Sequence, residues 1–252
     1  MMDFALKLSK EYGKGYLSYS SIKYALEDMK KFDMKMRDEL VFDSPALAFG
    51  KLYDCMLLTP EFFDTQFVVV DDTDICKEIG GKAPKRTKAY AEWLESLESE
   101  GRTVVMPEDV AKAQEMIDRL KLTGVDKIAL QGNMQYEFND FIDDVPVRGF
   151  LDVLGDGYIT DSKTTANISK FKWAVRDFGY DIQAFMYSKV LGTTDFRWVV
   201  QDKSYPYAVG LFYASEDTLR YGEHKFRTAV DRIKSYLGEG KSTESDYQTG
   251  EI

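Results

Sequence analysis

Histidine is almost missing from this chain: among 252 residues there is one, His224, and cysteine occurs only at Cys55 and Cys76. Chemistry that needs several histidine ligands therefore has no material here, and two cysteines cannot build a four-thiolate zinc site or an iron–sulfur cluster. They are also poor material for a disulfide, so both read as reduced packing residues. His224 falls in a polar helical stretch, RYGEHKFRTAVDR, and reads as a surface residue. Long apolar runs are lacking too. Nothing approaches the ~20 residues that span a bilayer, and MMDFALKLSKEYGKGY has no signal-peptide core with a small-residue cleavage site. The expectation is a cytoplasmic protein with no membrane partner. Finally, basic charge is not in excess: 33 Lys+Arg face 43 Asp+Glu, a net charge of −10. That argues against a protein that coats nucleic acid, but a local basic channel can coexist with an acidic exterior.

What the chain does contain is a core. Apolar residues make up 44% and aromatics 14%, too much for extensive disorder. The length suits one large domain with an added helical lobe: a mainly helical part over residues 1–130, a core over 131–237 and a polar tail over 238–252.

The most informative stretch is VPVRGFLDVLGDGYITDSKT, residues 145–164. Asp156-Gly157 between two β-rich runs is a strong hairpin signal. With those two residues at the turn, Gly155 faces Tyr158, Leu154 faces Ile159, Val153 faces Thr160, and Asp152 faces Asp161. Like charges directly opposite destabilise a strand pair, so a divalent cation between them is the natural reading. Lys163 shares the face of Asp161 because side chains alternate with a period of two. Hard oxygen ligands suit Mg²⁺ or Mn²⁺, and an ammonium beside them can hold or help deprotonate water. The constellation is one that cleaves phosphodiesters. An isolated D-x-K on an exposed strand would more often be a solvated ion pair; the hairpin register is what raises it above that.

Around this hairpin, residues 18–37 predict one amphipathic helix and Ser44-Pro45 opens another, with Gly50 and Asp54 on one face away from the Phe49, Leu52, Tyr53, Met56 stripe. Residues 66–70 read as a buried strand, 71–81 as a loop, and 88–99 and 107–122 as helices. GKAPKRTK places Lys85 and Arg86 in a run without acids that could touch phosphate or simply be solvated. MQYEFND, residues 134–140, alternates like a strand, and its Glu137 is either a third carboxylate of the site or an ordinary exposed residue. KTTANISKFKWAVR, residues 163–176, carries Lys170, Lys172 and Arg176 with Phe171 and Trp173 interleaved, the pattern a DNA strand needs beside a metal site. A helix near 181–191 aligns Gln183 and Tyr187 one turn apart; strands near 196–201 and 207–214 and a final helix to about 237 follow.

The order of these motifs resembles the PD-(D/E)XK nuclease superfamily, most closely the RecE-type exonucleases (exodeoxyribonuclease VIII) of phages and prophages. GFLD with Asp152, DSKTT with Asp161 and Lys163, and QAFMY with Gln183 and Tyr187 carry the resemblance, together with LSYSSIKYAL and FGKLYDCMLLTPEFF. It implies an α/β fold, a central mixed β-sheet flanked by helices (a restriction-endonuclease-like core) with an N-terminal helical extension. It also implies Asp152, Asp161 and the backbone carbonyl of Ser162 as ligands of one or two Mg²⁺ or Mn²⁺ ions, with Lys163 at the water. The family often carries a histidine where this chain has Asp54, a change toward a harder ion. The activity implied is 5′-to-3′ degradation of one strand of linear duplex DNA for recombination, by a homo-oligomeric ring, alongside a single-strand annealing protein, in the cytoplasm of a bacterial host. An endonuclease or single-strand nuclease on the same fold, or a non-catalytic DNA-binding recombination protein, are the alternatives.

Overall fold

The structure, a computed structural model, describes residues 2–40, 44–79 and 87–238. Its centre is a five-stranded sheet of β3 (Asn133–Ile142), β4 (Val145–Leu154), β5 (Ile159–Thr165), β6 (Phe196–Asp202) and β7 (Val209–Tyr213), in that spatial order. β5 and β6 run parallel and the other neighbours antiparallel, so the sheet is mixed and helix-flanked, as the family resemblance implies. A parallel pair needs a long crossover; here it consists of a 3₁₀ turn, α10 (Phe171–Asp177) and α11 (Tyr180–Leu191).

One face of the sheet is closed by α11, α12 (Glu216–Gly238) and α2 (Tyr19–Glu27). Their apolar stripes meet Phe138, Val147, Leu151, Phe196, Trp198 and Val200 in the largest core. The other face carries α4 (Pro45–Leu58), α8 (Pro107–Thr123) and α9 (Val125–Ala129), which enclose Val153 and Val199. Ser44 caps α4 by accepting the Leu47 N–H, with Pro45 in the first turn. The buried Tyr53 hydroxyl of α4 donates to Gln201 Oε1 of β6 at 2.5 Å, and Gln201 Nε2 donates to the Met116 carbonyl at 2.7 Å. This amide ties α4, β6 and α8 together. A two-stranded parallel sheet of β1 (Phe67–Val69) and β2 (Thr103–Val105) lies beyond.

Two expectations are corrected. Residues 18–37 are not one helix: α2 ends and α3 (Met29–Met36) begins at Asp28, which is extended and whose carboxylate accepts the Lys30 N–H at 2.7 Å. A short acid that can cap from outside a helix competes with its interior. Residues 71–81 are not all loop, because α6 spans Asp72–Ile79 and buries Ile75; one core residue on a charged turn was too faint a periodicity. Helices α7 (Lys88–Ser99) and α8 lie where the sequence placed them. No helix among the described residues is long and apolar enough to cross a membrane. Cys55 is buried and reduced, while His224 is exposed on α12.

Candidate active site

The hairpin turns at Asp156-Gly157 with Gly157 at φ +79°, the left-handed conformation that glycine supplies without strain. Gly155 N–H donates to Tyr158 O, and Leu154↔Ile159 and Val153↔Thr160 pair as expected. The fourth expected pair does not form in the ladder. β5 leaves β4 after Thr160 and follows β6 for all seven of its residues. At this fork the Asp152 side chain does what a strand neighbour would: Oδ2 accepts the Ser162 N–H at 2.7 Å.

β3 and β4 change faces at the same level. Leu151 and Phe138 belong to the core under α11, whereas Val153 and Met134 belong to the opposite one. The switch falls on Asp152 and the residue across from it, Gln135, which has φ +50° and whose Nε2 lies 3.3 Å from Asp152 Oδ1. No motif in the sequence marks Gln135. Its only signal is register, once the Asp143-Asp144 turn is known to pair β3 with β4.

From the α11 side, Asp161 and Lys163 enter the same fork. Asp161 is 4% exposed and Oδ1 accepts from Gln183 Nε2 at 2.8 Å. Its other oxygen forms a tight ion pair with Lys163 Nζ, which also donates to the Ser162 carbonyl at 3.3 Å and lies over the Tyr180 ring. Tyr187 is buried against Phe138, ring centroids 5.2 Å apart and nearly perpendicular. From the α4 side comes Asp54, whose Oδ1 is buried with no hydrogen-bond donor among the described residues.

The charges act on one another. Burial first, then the charge of Asp161, pushes the Asp152 carboxyl up to about 6. Burial, then Asp152, pushes Asp54 well above the ordinary carboxylate range. Burial works against the Lys163 ammonium, but Asp161 and then Asp152 outweigh it and hold its pKa above the usual lysine value. Lys163 is thus a fixed cation at neutral pH, suited to hold water or a phosphate oxygen rather than to accept a proton. Burial also raises the Tyr187 phenol to about 12, so it stays a neutral donor.

Two carboxyls pushed up by burial and by neighbouring charge, one of them with an orphaned oxygen, beside the Asp161 carboxylate make a donor set short of positive charge. Divalent cations with oxygen preference fit that chemistry. Among the described residues, however, no three His, Cys, Asp or Glu side chains stand close enough to form a ready ligand cluster.

The remaining candidates fall elsewhere. Glu137 is about two-fifths exposed and paired with Arg148 at 2.6 Å; it is not among the groups that perturb Asp152 or Asp54. Gly50 needs no unusual approach, since a Cβ there would sit 4.0 Å from Thr164 Oγ1. Lys170, Lys172 and Arg176 are exposed along and before α10. Phe171 is core and Trp173 is open to solvent. Lys85 and Arg86 lie outside the described residues.

Gly149 of the GFLD motif has a role the sequence did not disclose. A Cβ there would come within 2.5 Å of Phe138 Cζ and 2.7 Å of Tyr187 Cε1. Gly149→Ala should displace the Tyr187 ring and cost about 1–3 kcal/mol, as overpacking does; calorimetric unfolding measures this, and an unchanged midpoint would refute the close packing.

Residues 18–246 match the family described as PDDEXK-like domain of unknown function (DUF3799). A crystal structure of a protein from Eubacterium rectale, named "Putative exonuclease", superposes with TM-score 0.65 at 16% identity, covering 95% of this chain and 86% of that one; at that identity the likeness is one of fold. A second solved structure, SSO0001, reaches only TM-score 0.33 at 15% identity over 73% of this chain and 84% of that one. No curated protein matches the chain significantly. The family match takes in the fork and every strand of the larger sheet, and by it the chain belongs to the PDDEXK-like DUF3799 family, with the PD-(D/E)XK nuclease fold.

Proposed function

We propose that the protein is a divalent-metal-dependent exodeoxyribonuclease that shortens one strand of linear double-stranded DNA, 5′ to 3′, in recombination or DNA processing. The observation that carries this reading is the fork, where Asp152 and Asp161 meet the fixed ammonium of Lys163 and the amide of Gln183. Asp152, Asp161 and the Ser162 carbonyl would hold Mg²⁺ or Mn²⁺, with Asp54 as a further carboxylate. Such an ion polarises a scissile phosphate and lowers the pKa of attacking water.

The chain's own groups do the rest. Gln183 locks the Asp161 carboxylate through Oδ1 and leaves the other oxygen to face the ion-pair side. Lys163 holds a water or a non-bridging phosphate oxygen in line, and its charge offsets what develops in the transition state. Tyr187, packed beside Gln183, shapes the pocket for the strand end. Lys170, Lys172 and Arg176 give the approaching backbone a local cationic surface on an otherwise acidic protein. The RecE resemblance supports a homo-oligomeric ring around the duplex and cooperation with a single-strand annealing protein.

The test uses linear duplex labelled separately at each terminus, and covalently closed circles, with Mg²⁺ or with EDTA. Mononucleotide release from one labelled strand, dependent on Mg²⁺ and lost in Lys163→Ala, is expected. Cutting of closed circles would replace the exonuclease reading with an endonuclease one.

A further inference from the structure

A groove of about 530 Å³ begins where the catalytic strand ends. It is lined by Thr165, Asn167, Lys170, Trp173, Asp177 and Phe178, among others. Two large rings form its walls and are open to solvent: Trp173 is 55% exposed and Phe178 52%. Rings of this size normally contribute to a core, and Phe171 on the same helix does so at 2% exposure.

The groove starts close to the fork along β5. Thr165 is two residues beyond Lys163 on β5, roughly 7 Å along a strand and so about one nucleotide away from the candidate scissile position. The rings also connect to it: the Phe178 and Tyr180 centroids are 5.8 Å apart, and Lys163 Nζ is 5.1 Å from the Tyr180 centroid. The segment is anchored, because the Tyr19 hydroxyl donates to the Phe178 carbonyl at 2.6 Å. Cations accompany the rings. Lys172 Nζ sits 4.1 Å from the Trp173 centroid, and Lys170 stands at the groove, against one acid, Asp177.

We propose that Trp173 and Phe178 form a stacking ledge for unpaired nucleotides next to the scissile phosphate, with Lys170 and Lys172 on the backbone between them. The assignment rests on the nuclease reading and deepens it. Bases inside a duplex hide their faces, so open rings select single-stranded DNA and tolerate any sequence. The occupant is therefore a nucleic-acid strand already separated from its complement, and the ledge would keep it from re-annealing while the neighbouring bond is cut.

The test measures binding of fluorescein-labelled oligo(dT) by anisotropy in EDTA, for the full chain and for Trp173→Ala and Phe178→Ala. Both rings are surface residues, and circular dichroism verifies folding. Each substitution should weaken oligo(dT) binding roughly 5- to 150-fold, the range for loss of one stacked base, while blunt-duplex binding changes less than about twofold. In Trp93→Phe, which keeps Trp173 and the buried Trp198, oligo(dT) should quench the emission, and adding Trp173→Ala should remove the quench.

Oligo(dT) affinity within about twofold of wild type in both variants would overturn the ledge, as would failure of wild type to bind oligo(dT). A shifted sedimentation coefficient in Trp173→Ala with unchanged oligo(dT) affinity would show that a second copy covers the rings, and would overturn it too. Ring-dependent oligo(dT) binding by a wild-type protein that cleaves no DNA would leave the ledge standing and remove the nuclease reading instead.

Discussion

Asp152→Asn is expected to give a protein that is inactive and yet more resistant to heat in EDTA. The folded-state pKa of this carboxyl, about 6, lies above its ordinary value of 3.8, with burial and then Asp161 as the causes. A group raised in this way supports the fold while protonated. Its contribution is complete below about pH 4 and is lost as pH rises through about 6, so at pH 7.5 the folded protein carries the full cost of a buried charge next to Asp161. Asparagine removes that charge, and its carbonyl can still accept the Ser162 N–H. The gain should be on the order of 1–2 kcal/mol, equivalent to a few degrees in melting temperature at this size. Cleavage should fall at least roughly 10²–10³-fold, as when one electrostatic contact to a transition state is lost. Melting curves at pH 7.5 and pH 4.5 check the sign, since the advantage of the variant should shrink at the lower pH. Adding Mg²⁺ should stabilise wild type more than the variant, because only the former keeps both acids. A variant less stable than wild type at pH 7.5 in EDTA would mean that Asp152 is held as a welcome anion rather than a strained one.

The sequence made half of this site legible and concealed the other half for a physical reason. Asp161, Lys163, Gln183 and Tyr187 lie on regular elements, where periods of two and of nearly four fix which side chains share a face. The hairpin register followed from one Asp-Gly turn. What failed was the assumption that the two strands stay paired as far as Asp152. β5 pairs with β6 along its whole length and parts from β4 after Thr160, and that parting depends on a strand more than thirty residues later in the chain. Gln135 escaped notice similarly, since its φ of +50° belongs to a twist shared by β3 and β4 and leaves no local motif. Asp54 was visible as an acid on an apolar helix, but its orphaned oxygen depends on how Tyr53 and Gln201 dock α4 against β6. Glu137 shows the converse. Alternation placed it on a strand beside the site, and Arg148, from the adjoining strand, claims its carboxylate.

Gly222→Ala is expected to destabilise the protein and loosen the site from a distance, although alanine is the better helix former. Gly222 is buried on α12 where that helix crosses α11. An added Cβ would lie 2.0 Å from the Asp181 carbonyl oxygen and 2.9 Å from Phe185 Cβ. The first is backbone and cannot rotate away, so the helices must separate. Alanine gains about 1 kcal/mol in helix propensity over glycine, whereas forced overpacking costs about 1–3 kcal/mol or more, and a backbone collision belongs at the upper end. Separation would also stretch the 2.8 Å Lys225–Asp181 ion pair and the Phe185–Phe226 contact. A net loss of about 1–2 kcal/mol should lower the melting temperature by roughly 2–8 °C. The functional consequence travels along α11. Gln183 is two residues from Asp181, and its 2.8 Å bond to Asp161 tolerates little displacement before the carboxylate loses its fixed orientation. Cleavage should therefore fall by more than the unfolded fraction accounts for, and a Gln183→Ala substitution added to Gly222→Ala should cost less than it does alone. Strict additivity of the two in a double-mutant cycle would show that the α11–α12 contact supports the fold without positioning the acid.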